Sequence, residues 1–346
     1  MDSLTNSFSP PAPLENTCLY HPLSIGSLHL TGNLFLAPAA GYTDSAFRSI
    51  CVEQGANLTF TELVSAEALT RGCVDCSTAL LCRAANESAW AVQLFGASAQ
   101  SMAQAVAALA PYKPDMVDIN AGCPVPKVTK CGAGAALMRD PEKLGLIVEA
   151  AVQASRKTLG AVPVSIKLRS GWDASSINFL ECARAAVQAG AALVSLHPRT
   201  RTQGYSGKSC WRHIKELAAE LPVPVAGSGD LFSAEDAELM LRETGCAAVM
   251  FARGSFGNPF IFAAAKSLLT GGRAEPPDAL IRINTAIRQL ELLARDIGEK
   301  SACLEMRKVF CAYTKGIHGA AALRTRLVHA ETIDEYRSLL ARYENN

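Results

Sequence analysis

Met116-Val117-Asp118-Ile119-Asn120-Ala121-Gly122-Cys123-Pro124 is the stretch that decides the fold. Apolar and polar residues alternate as far as Asn120, which predicts a buried strand, and Gly122 and Pro124 end it abruptly. A thiol just past a strand's C-terminal end is well placed to face a ligand. The loop that follows, Val125 to Ala136, adds Lys127, Lys130, Gly132 and Gly134. The stretch therefore offers one bound molecule a proton donor, an amide from Asn120 and positive charge. Against this stands the commoner fate of a free cysteine, which is to be buried and fill space, so the rest of the chain has to decide.

Seven further stretches read as strands, and helical segments separate most of them. Upstream lie Asn33–Pro38, Asn57–Glu62 and Ala89–Phe95. Downstream lie Val162–Leu168, Ala192–His197, Val223–Gly227 and Ala247–Ala252. Helices are predicted over Ser45–Gln54, Ser98–Ala110, Pro141–Leu159, Ser175–Ala189, Trp211–Leu221 and Ser233–Thr244, with Thr43-Asp44 as N-cap and Gly55 as stop for the first. Each strand is a nearly continuous apolar run, as expected of parallel strands covered on both faces. At this length the natural closure is a (β/α)8 TIM barrel, which gathers ligands at the C-terminal ends of its strands. An open doubly wound sheet would want Gly-x-Gly-x-x-Gly after its first strand, and Ala37-Pro38-Ala39-Ala40-Gly41 is not that motif.

After Gly271-Gly272 the pattern changes. Pro276-Pro277 interrupt the chain, and Asp278 to about Tyr343 has helical periodicity with no strand between. The expected organisation is a mobile N-terminal tail over residues 1–20, a barrel over 21–270 and a helical domain of three or four helices over 271–346. A helical extension that merely caps the barrel is the competing reading of that last segment.

With 49% apolar and 19% charged residues, a chain of 346 residues has material for a large core. No apolar run reaches the roughly eighteen residues of a membrane span, and no secretory signal is visible, so no membrane role is expected. Twelve scattered cysteines point to a reduced, cytoplasmic protein. Cys73-Val-Asp-Cys76, with Cys82 close behind, lacks the second pair that a four-ligand metal site needs, so no metal is expected. Net charge is only +1, and the helical segment from Gly271 carries 12 Lys and Arg against 10 Asp and Glu. Any nucleic-acid binding must therefore come from local patches.

Polar residues at strand ends are informative because a barrel interior prefers apolar side chains. They are Gln93, Asn120, Cys123, Lys167, Arg169, His197, Arg199 and Arg253. Two glycine-rich turns follow the last two strands, Gly227-Ser228-Gly229-Asp230 and Arg253-Gly254. Glycines let backbone N–H groups approach a phosphate and arginine adds a bidentate charge, so the pair suggests a phosphorylated cofactor. Flavin mononucleotide suits the remaining groups, with Gln93 at the ring edge, Lys167 near the electron-accepting side and His197 beside the ribityl chain or ring.

Asp118-Ile-Asn-Ala-Gly-Cys-Pro-Val-Pro-Lys-Val128, followed by Gly132-Ala-Gly-Ala-Ala-Leu-Met138, closely resembles the signature of the tRNA-dihydrouridine synthases, in particular the bacterial B-type members. Ala37–Asp44 with Phe47-Arg48, Thr61-Glu62, Gln93–Gly96, Lys167–Arg169, His197–Thr200, Gly229-Asp230 and Arg253–Pro259 match in order, so the resemblance runs from about Leu36 to Leu327. It implies an enzyme that saturates the uracil C5=C6 bond of tRNA with flavin mononucleotide re-reduced by NADPH, Cys123 being the proton donor. Flavin contacts are implied at Pro38, Ala39, Ala40, Gln93, Lys167, His197, Ser228, Gly229, Asp230, Ala252 and Arg253. Asn120 and Arg199 are implied to serve the base or a phosphate. The segments Met306–Gly316 and Ala320–Arg324 resemble the family's tRNA-binding domain, with Arg307, Lys308 and Lys315 as phosphate contacts. On helices joined at Gly316 and Gly319, these cations with Arg324 and Arg326 are expected to form one stripe facing phosphate; solvated surface charges paired with Glu299 and Glu305 are the competing reading. Ala39 stands where methionine is usual, Ser228 where asparagine is common and Ala252 where glycine is usual. No stable protein partner is implied, and a monomer is expected. Two rivals remain: a flavin barrel acting on a free small molecule, like dihydroorotate dehydrogenase, and an RNA-binding module without catalysis. Cys131 is the rival thiol.

Overall fold

The computed structural model describes residues 18–71, 79–318 and 320–344, with side chains as far as residue 340. Cys73 and Cys76 lie outside the described residues.

The first element among the described residues is a hairpin absent from the sequence-based expectations, β1 (Leu23–Ile25) against antiparallel β2 (Leu28–Leu30). The parallel staves follow: β3 (Leu34–Leu36), β4 (Thr59–Phe60) with its continuation β5 (Val64–Ser65), β6 (Trp90–Phe95), β7 (Met116–Ala121), β8 (Val164–Gly171), β9 (Leu193–Thr200), β10 (Val225–Ser228) and β11 (Ala248–Phe251). Hydrogen bonds link them in the order β3-β11-β10-β9-β8-β7-β6-β4. Leu36 N–H donates to Leu58 C=O at 2.9 Å and Asn57 N–H to Leu34 C=O at 2.8 Å, which closes the sheet on itself. The (β/α)8 barrel and its helical C-terminal region are thus the observed architecture.

Alternation along each stave separates two cores. Val117, Ile119, Val164, Ile166, Val194 and Leu196 face the surrounding helices. Phe35, Leu58, Phe60, Ala91, Met116, Leu193 and Met250 fill the N-terminal half of the barrel interior, where the hairpin's Ile25 and Leu30 join them as a plug. Gly26 in the hairpin turn, at φ +55°, lies against Pro163 and Ala192, just ahead of β8 and β9. Above this apolar floor the interior turns polar, which is what positions the site.

Helix boundaries follow local hydrogen bonding. The first helix, α1 (Ser45–Glu53), starts where the Asp44 carboxylate accepts from Phe47 N–H. A helix expected from Ser175 begins only at Phe179, because Asp173 accepts from the Ser175 and Ser176 hydroxyls and holds a turn there. The helix Ile261–Leu269, which supplies the barrel's eighth helix, was not anticipated. In α1, Arg48 is buried and ion-paired with Glu87 at 2.7 Å, while Thr59 donates to the same carboxylate. This ties the 82–87 loop to the barrel wall.

The C-terminal segment forms four helices, Ala279–Ile297, Glu299–Tyr313, Ala320–Leu327 and Ile333–Glu344, around a separate core that includes Leu290, Met306, Phe310 and Tyr336. It meets the barrel at close quarters. A Cβ on Gly257, at φ +65°, would lie 2.5 Å from the Ala312 carbonyl carbon, so helix backbone rests directly on the loop that follows β11.

Candidate active site

A cavity of about 340 Å³ opens at the C-terminal ends of the staves. Pro38, Ala39 and Ala40 line it from the loop after β3, Gln93 from β6, and Asn120 and Cys123 from β7 and its loop. Lys167 and Arg169 come from β8, His197 from β9, Ser228 to Asp230 from the β10 turn, and Ala252 and Arg253 from the β11 turn. All eleven residues expected at the flavin, together with Cys123 and Asn120, are thus brought to one cavity.

Register explains the convergence. Gln93 pairs with Asp118 across β6–β7, Asp118 with Ser165 and Asn120 with Lys167 across β7–β8, and Arg169 with His197 across β8–β9. Facing inward from neighbouring staves, Gln93, Asp118, Asn120 and Ser165 hydrogen-bond to one another. Gln93 Nε2 donates to Asp118 Oδ2 at 2.5 Å, Ser165 Oγ to Asp118 Oδ1 at 2.6 Å, and Asn120 Nδ2 to Gln93 Oε1 at 2.8 Å. Asn120 Oδ1 accepts the N–H groups of Cys123 at 2.9 Å and Gly122 at 3.2 Å, and so shapes the turn that carries the thiol.

Cys123 is 8% exposed, and burial pushes its thiol above the ordinary value, outweighing the Val125 N–H and the charges of Arg169 and Lys167. The proton-bearing form is therefore the resident one at neutral pH, as a general acid requires. Cys131 is exposed, outside the cavity wall, and turned toward Lys127 C=O. Burial and Arg169 bring Lys167 down to about 8, and burial with four surrounding cations brings His197 down to about 2. Arg199 Nη1 is 3.2 Å from His197 Nε2. Because guanidinium only donates, Nε2 accepts and Nδ1 carries the proton. His197 is a neutral donor there.

The two glycine-rich turns pack on each other. A Cβ on Gly254 would lie 2.1 Å from Leu231 C=O, and one on Gly229, at φ +101°, would lie 2.8 Å from His197. Asp230, itself at φ +57°, pairs with Arg199 at 2.8 Å and Arg253 at 3.3 Å. Although burial pushes Asp230 up, Ser209 and Arg199 hold it below the usual carboxylate value. The Ser228 hydroxyl donates to Met250 C=O at 2.9 Å, so its one O–H is used there and the hydroxyl keeps only acceptor lone pairs.

The chemistry of this donor set fits flavin mononucleotide. Gln93, with one N–H and one lone pair unspent, matches an adjacent N–H and carbonyl on a ring edge. Lys167 would supply charge beside it, and Arg253 lines the cavity with the two glycine turns, the place that suits a phosphate in such a barrel.

Four expected substrate contacts are placed differently from one another. Arg199 is 2% exposed and does not line the cavity; it braces the 206–207 loop and Asp230 from behind. Arg307 is half-buried beside Tyr336, with its Nε enclosed and unpartnered. Lys308, one residue on and so about 100° around the helix, lies 5.4 Å from the Tyr42 ring at the cavity rim and 2.8 Å from Glu305. Lys315 is exposed in the turn after that helix. Arg324 Nη1 donates to Thr314 C=O at 3.1 Å, which uses one of its five N–H donors. Arg307 and Lys308 thus point to different sides of their helix.

The rim also holds aromatic residues that sequence reading passed over. Tyr205 and Phe232 are 59% and 51% exposed and flank the Arg253 guanidinium at 4.5 and 5.2 Å, while Tyr42 stacks on Phe256 at 3.9 Å. Tyr205 sits between Gly204 and Gly207, both at positive φ, a loop pattern that was the available signal.

The chain is similar in sequence and in fold to known proteins. The dihydrouridine synthase family model matches residues 35–345. A probable tRNA-dihydrouridine synthase of Treponema pallidum is 46% identical over 94% of this chain and 97% of its own length. The tRNA-dihydrouridine synthase B of Pasteurella multocida is 34% identical over 85% of this chain and 87% of its own. Among solved structures, histamine dehydrogenase from Rhizobium sp. 4-9 shares the fold at TM-score 0.54 and 15% identity; the match covers 80% of this chain and about half, 51%, of that one.

Proposed function

Because the chain belongs to the dihydrouridine synthase family, we propose that it reduces the C5=C6 bond of specific uridines in tRNA, using flavin mononucleotide and NADPH. The observation that carries this reading is the cavity itself, where a protonated thiol and the whole expected flavin set converge at the barrel's C-terminal face. Flavin mononucleotide, when bound, supplies the hydride equivalent for C6. Cys123 gives its proton to C5, and the thiolate left behind is stabilised by Val125 N–H, Arg169 and Lys167. Asn120 fixes the thiol-bearing turn and offers its remaining N–H to the base. Gln93, Lys167, His197, the backbone from Pro38 to Ala40 and the turns Ser228–Asp230 and Ala252-Arg253 hold the flavin.

A uridine stacked in tRNA has to be turned out to reach this depth. The aromatic rim of Tyr205 and Phe232 and the Lys308 edge of the helical region lie at the entrance. In this reading residues 21–270 are the flavin-binding barrel, residues 271–346 the tRNA-binding domain, and the protein acts as a cytoplasmic monomer. Among the described residues no helix is long and apolar enough to cross a membrane.

The test is direct. The purified protein is expected to be yellow, to oxidise NADPH faster when unmodified tRNA is added, and to form dihydrouridine in that tRNA. A flavin-bearing protein that reduced free orotate or uracil and left tRNA unchanged would overturn the substrate, and a colourless protein would overturn the cofactor.

A further inference from the structure

We propose that Asp118, which does not line the cavity, is a positioning residue. It sets the polarity of the two amides above it and makes Asn120 a donor-only group that selects a carbonyl on the incoming base. The inference rests on the flavin and uridine reading given above.

The hydrogen bonds run in one sense from the wall of the barrel to the thiol turn. Asn120 Oδ1 takes two backbone N–H groups, Cys123 at 2.9 Å and Gly122 at 3.2 Å, which fills both its lone pairs. Its Nδ2 must then donate, and does so to Gln93 Oε1 at 2.8 Å. Gln93 therefore turns Nε2 outward, to Asp118 Oδ2 at 2.5 Å. Asp118 ends the chain as an acceptor, with Ser165 Oγ at 2.6 Å on its other oxygen. All four side chains are buried, Gln93, Asp118 and Ser165 at 0% exposure, so water does not substitute for a missing partner.

A carboxylate has no N–H, so it meets an amide in only one orientation. Reversing Gln93 would set its Oε1 against the Asp118 carboxylate. Its Nε2 would then face Asn120 Nδ2, and the Cys123 turn would lose its cap if Asn120 followed. The polarity fixed in this way has two consequences. Asn120 has a single N–H left for the base, which complements the carbonyls of uracil and opposes the amino group of cytosine. Gln93 keeps one N–H and one lone pair for the flavin edge. Specificity built on a buried, directional donor is stronger than specificity built on shape, because the wrong partner leaves the donor unpaired.

The variants that test this are Asp118→Leu, which removes the terminal acceptor, and Asp118→Asn, whose carbonyl can still face Gln93 while its amide nitrogen faces the Ser165 hydroxyl. Two readouts are needed: flavin mononucleotide titrated into flavin-free protein by fluorescence quenching, and single-turnover reoxidation of the reduced, flavin-saturated protein by unmodified tRNA. Asp118→Leu is expected to weaken flavin about tenfold and to slow single turnover about ten- to a hundredfold, the range for one misdirected buried hydrogen bond. Asp118→Asn is expected to stay within about threefold on both, because the acceptor, not the charge, is what is required. An Asn variant as impaired as the Leu variant, or a Leu variant unimpaired on both readouts, would overturn the proposal. Should the Leu variant not fold, the Asn variant decides alone. Wild-type protein that took up no flavin would instead overturn the cofactor reading, and this inference with it.

Discussion

Lys167 gives the most exacting test, because its cost to the fold can be worked out. Its side chain reaches the cavity wall without a hydrogen bond to any described residue. Burial and Arg169 bring the ammonium from 10.5 to about 8. Each pH unit of lowering corresponds to about 1.4 kcal/mol, so the charged form weighs on the flavin-free fold by on the order of 3 kcal/mol at pH 7. Lys167→Met keeps the stem and removes the charge. Lys167 also helps to hold down Asp118, which burial raises to about 6. That attraction is already contained in the lowering of Lys167 to about 8, so the expected net stabilisation of flavin-free protein at pH 7 stays on the order of 3 kcal/mol. The sign with pH follows from linkage. Between about 8 and 10.5 the unfolded chain holds a proton on Lys167 that the folded chain has released, so wild type gains stability as pH rises through this window. The methionine variant lacks that gain, and its advantage should shrink toward zero. Urea unfolding of flavin-free protein at several pH values measures this, and the same variant should bind flavin about ten- to a hundredfold more weakly. A variant no more stable than wild type at pH 7, or an advantage that does not decline on the alkaline side, would refute the argument.

Cys123→Ala should keep its flavin and lose about 10² to 10⁴ in the rate of uridine reduction, while Cys131→Ala stays near normal; the reverse pattern in a single-turnover assay would move the acid to the other thiol. Gly257→Ala forces a left-handed alanine, about 1 to 2 kcal/mol, and pushes the Glu299–Tyr313 helix off the β11 loop, because its Cβ would meet Ala312 at 2.5 Å. Gly271→Ala, at φ +87° in open space, carries the backbone term alone; equal urea midpoints for the two would show that the helix contact has no rigidity. Replacing Lys308 by alanine should lower the salt slope of tRNA binding by about one. Arg307→Met should leave that slope unchanged, since its guanidinium is turned toward Tyr336, and an equal loss in both would restore a shared phosphate stripe.

The sequence by itself determined the (β/α)8 architecture and most of the cavity. Both are written locally: each stave is an apolar run closed by glycine or proline, and the polar residue at its end falls where a parallel barrel gathers ligands. The motif from Asp118 to Cys123 carried the family and the thiol in the same way. Neighbours across space were decided by the tertiary structure. The Leu23–Leu30 hairpin is too short to announce itself, and becomes a plug only because the apolar floor of a closed barrel accepts Ile25 and Leu30. Arg199 reads as an open contact, yet register and the Gly229-Asp230 turn set a carboxylate against it and draw it behind the wall. Adjacent cations at 307 and 308 look equivalent in the chain, but a helix separates them by about 100°. The packing of that helix against Gly257 turns Lys308 to the cavity rim and Arg307 toward its own core. Asp118 is legible as an alternating strand residue, whereas its grip on Gln93 exists only once β6 and β7 are in register. Period and turn chemistry are short-range properties of the chain; register and helix phase are fixed by what the whole fold packs against.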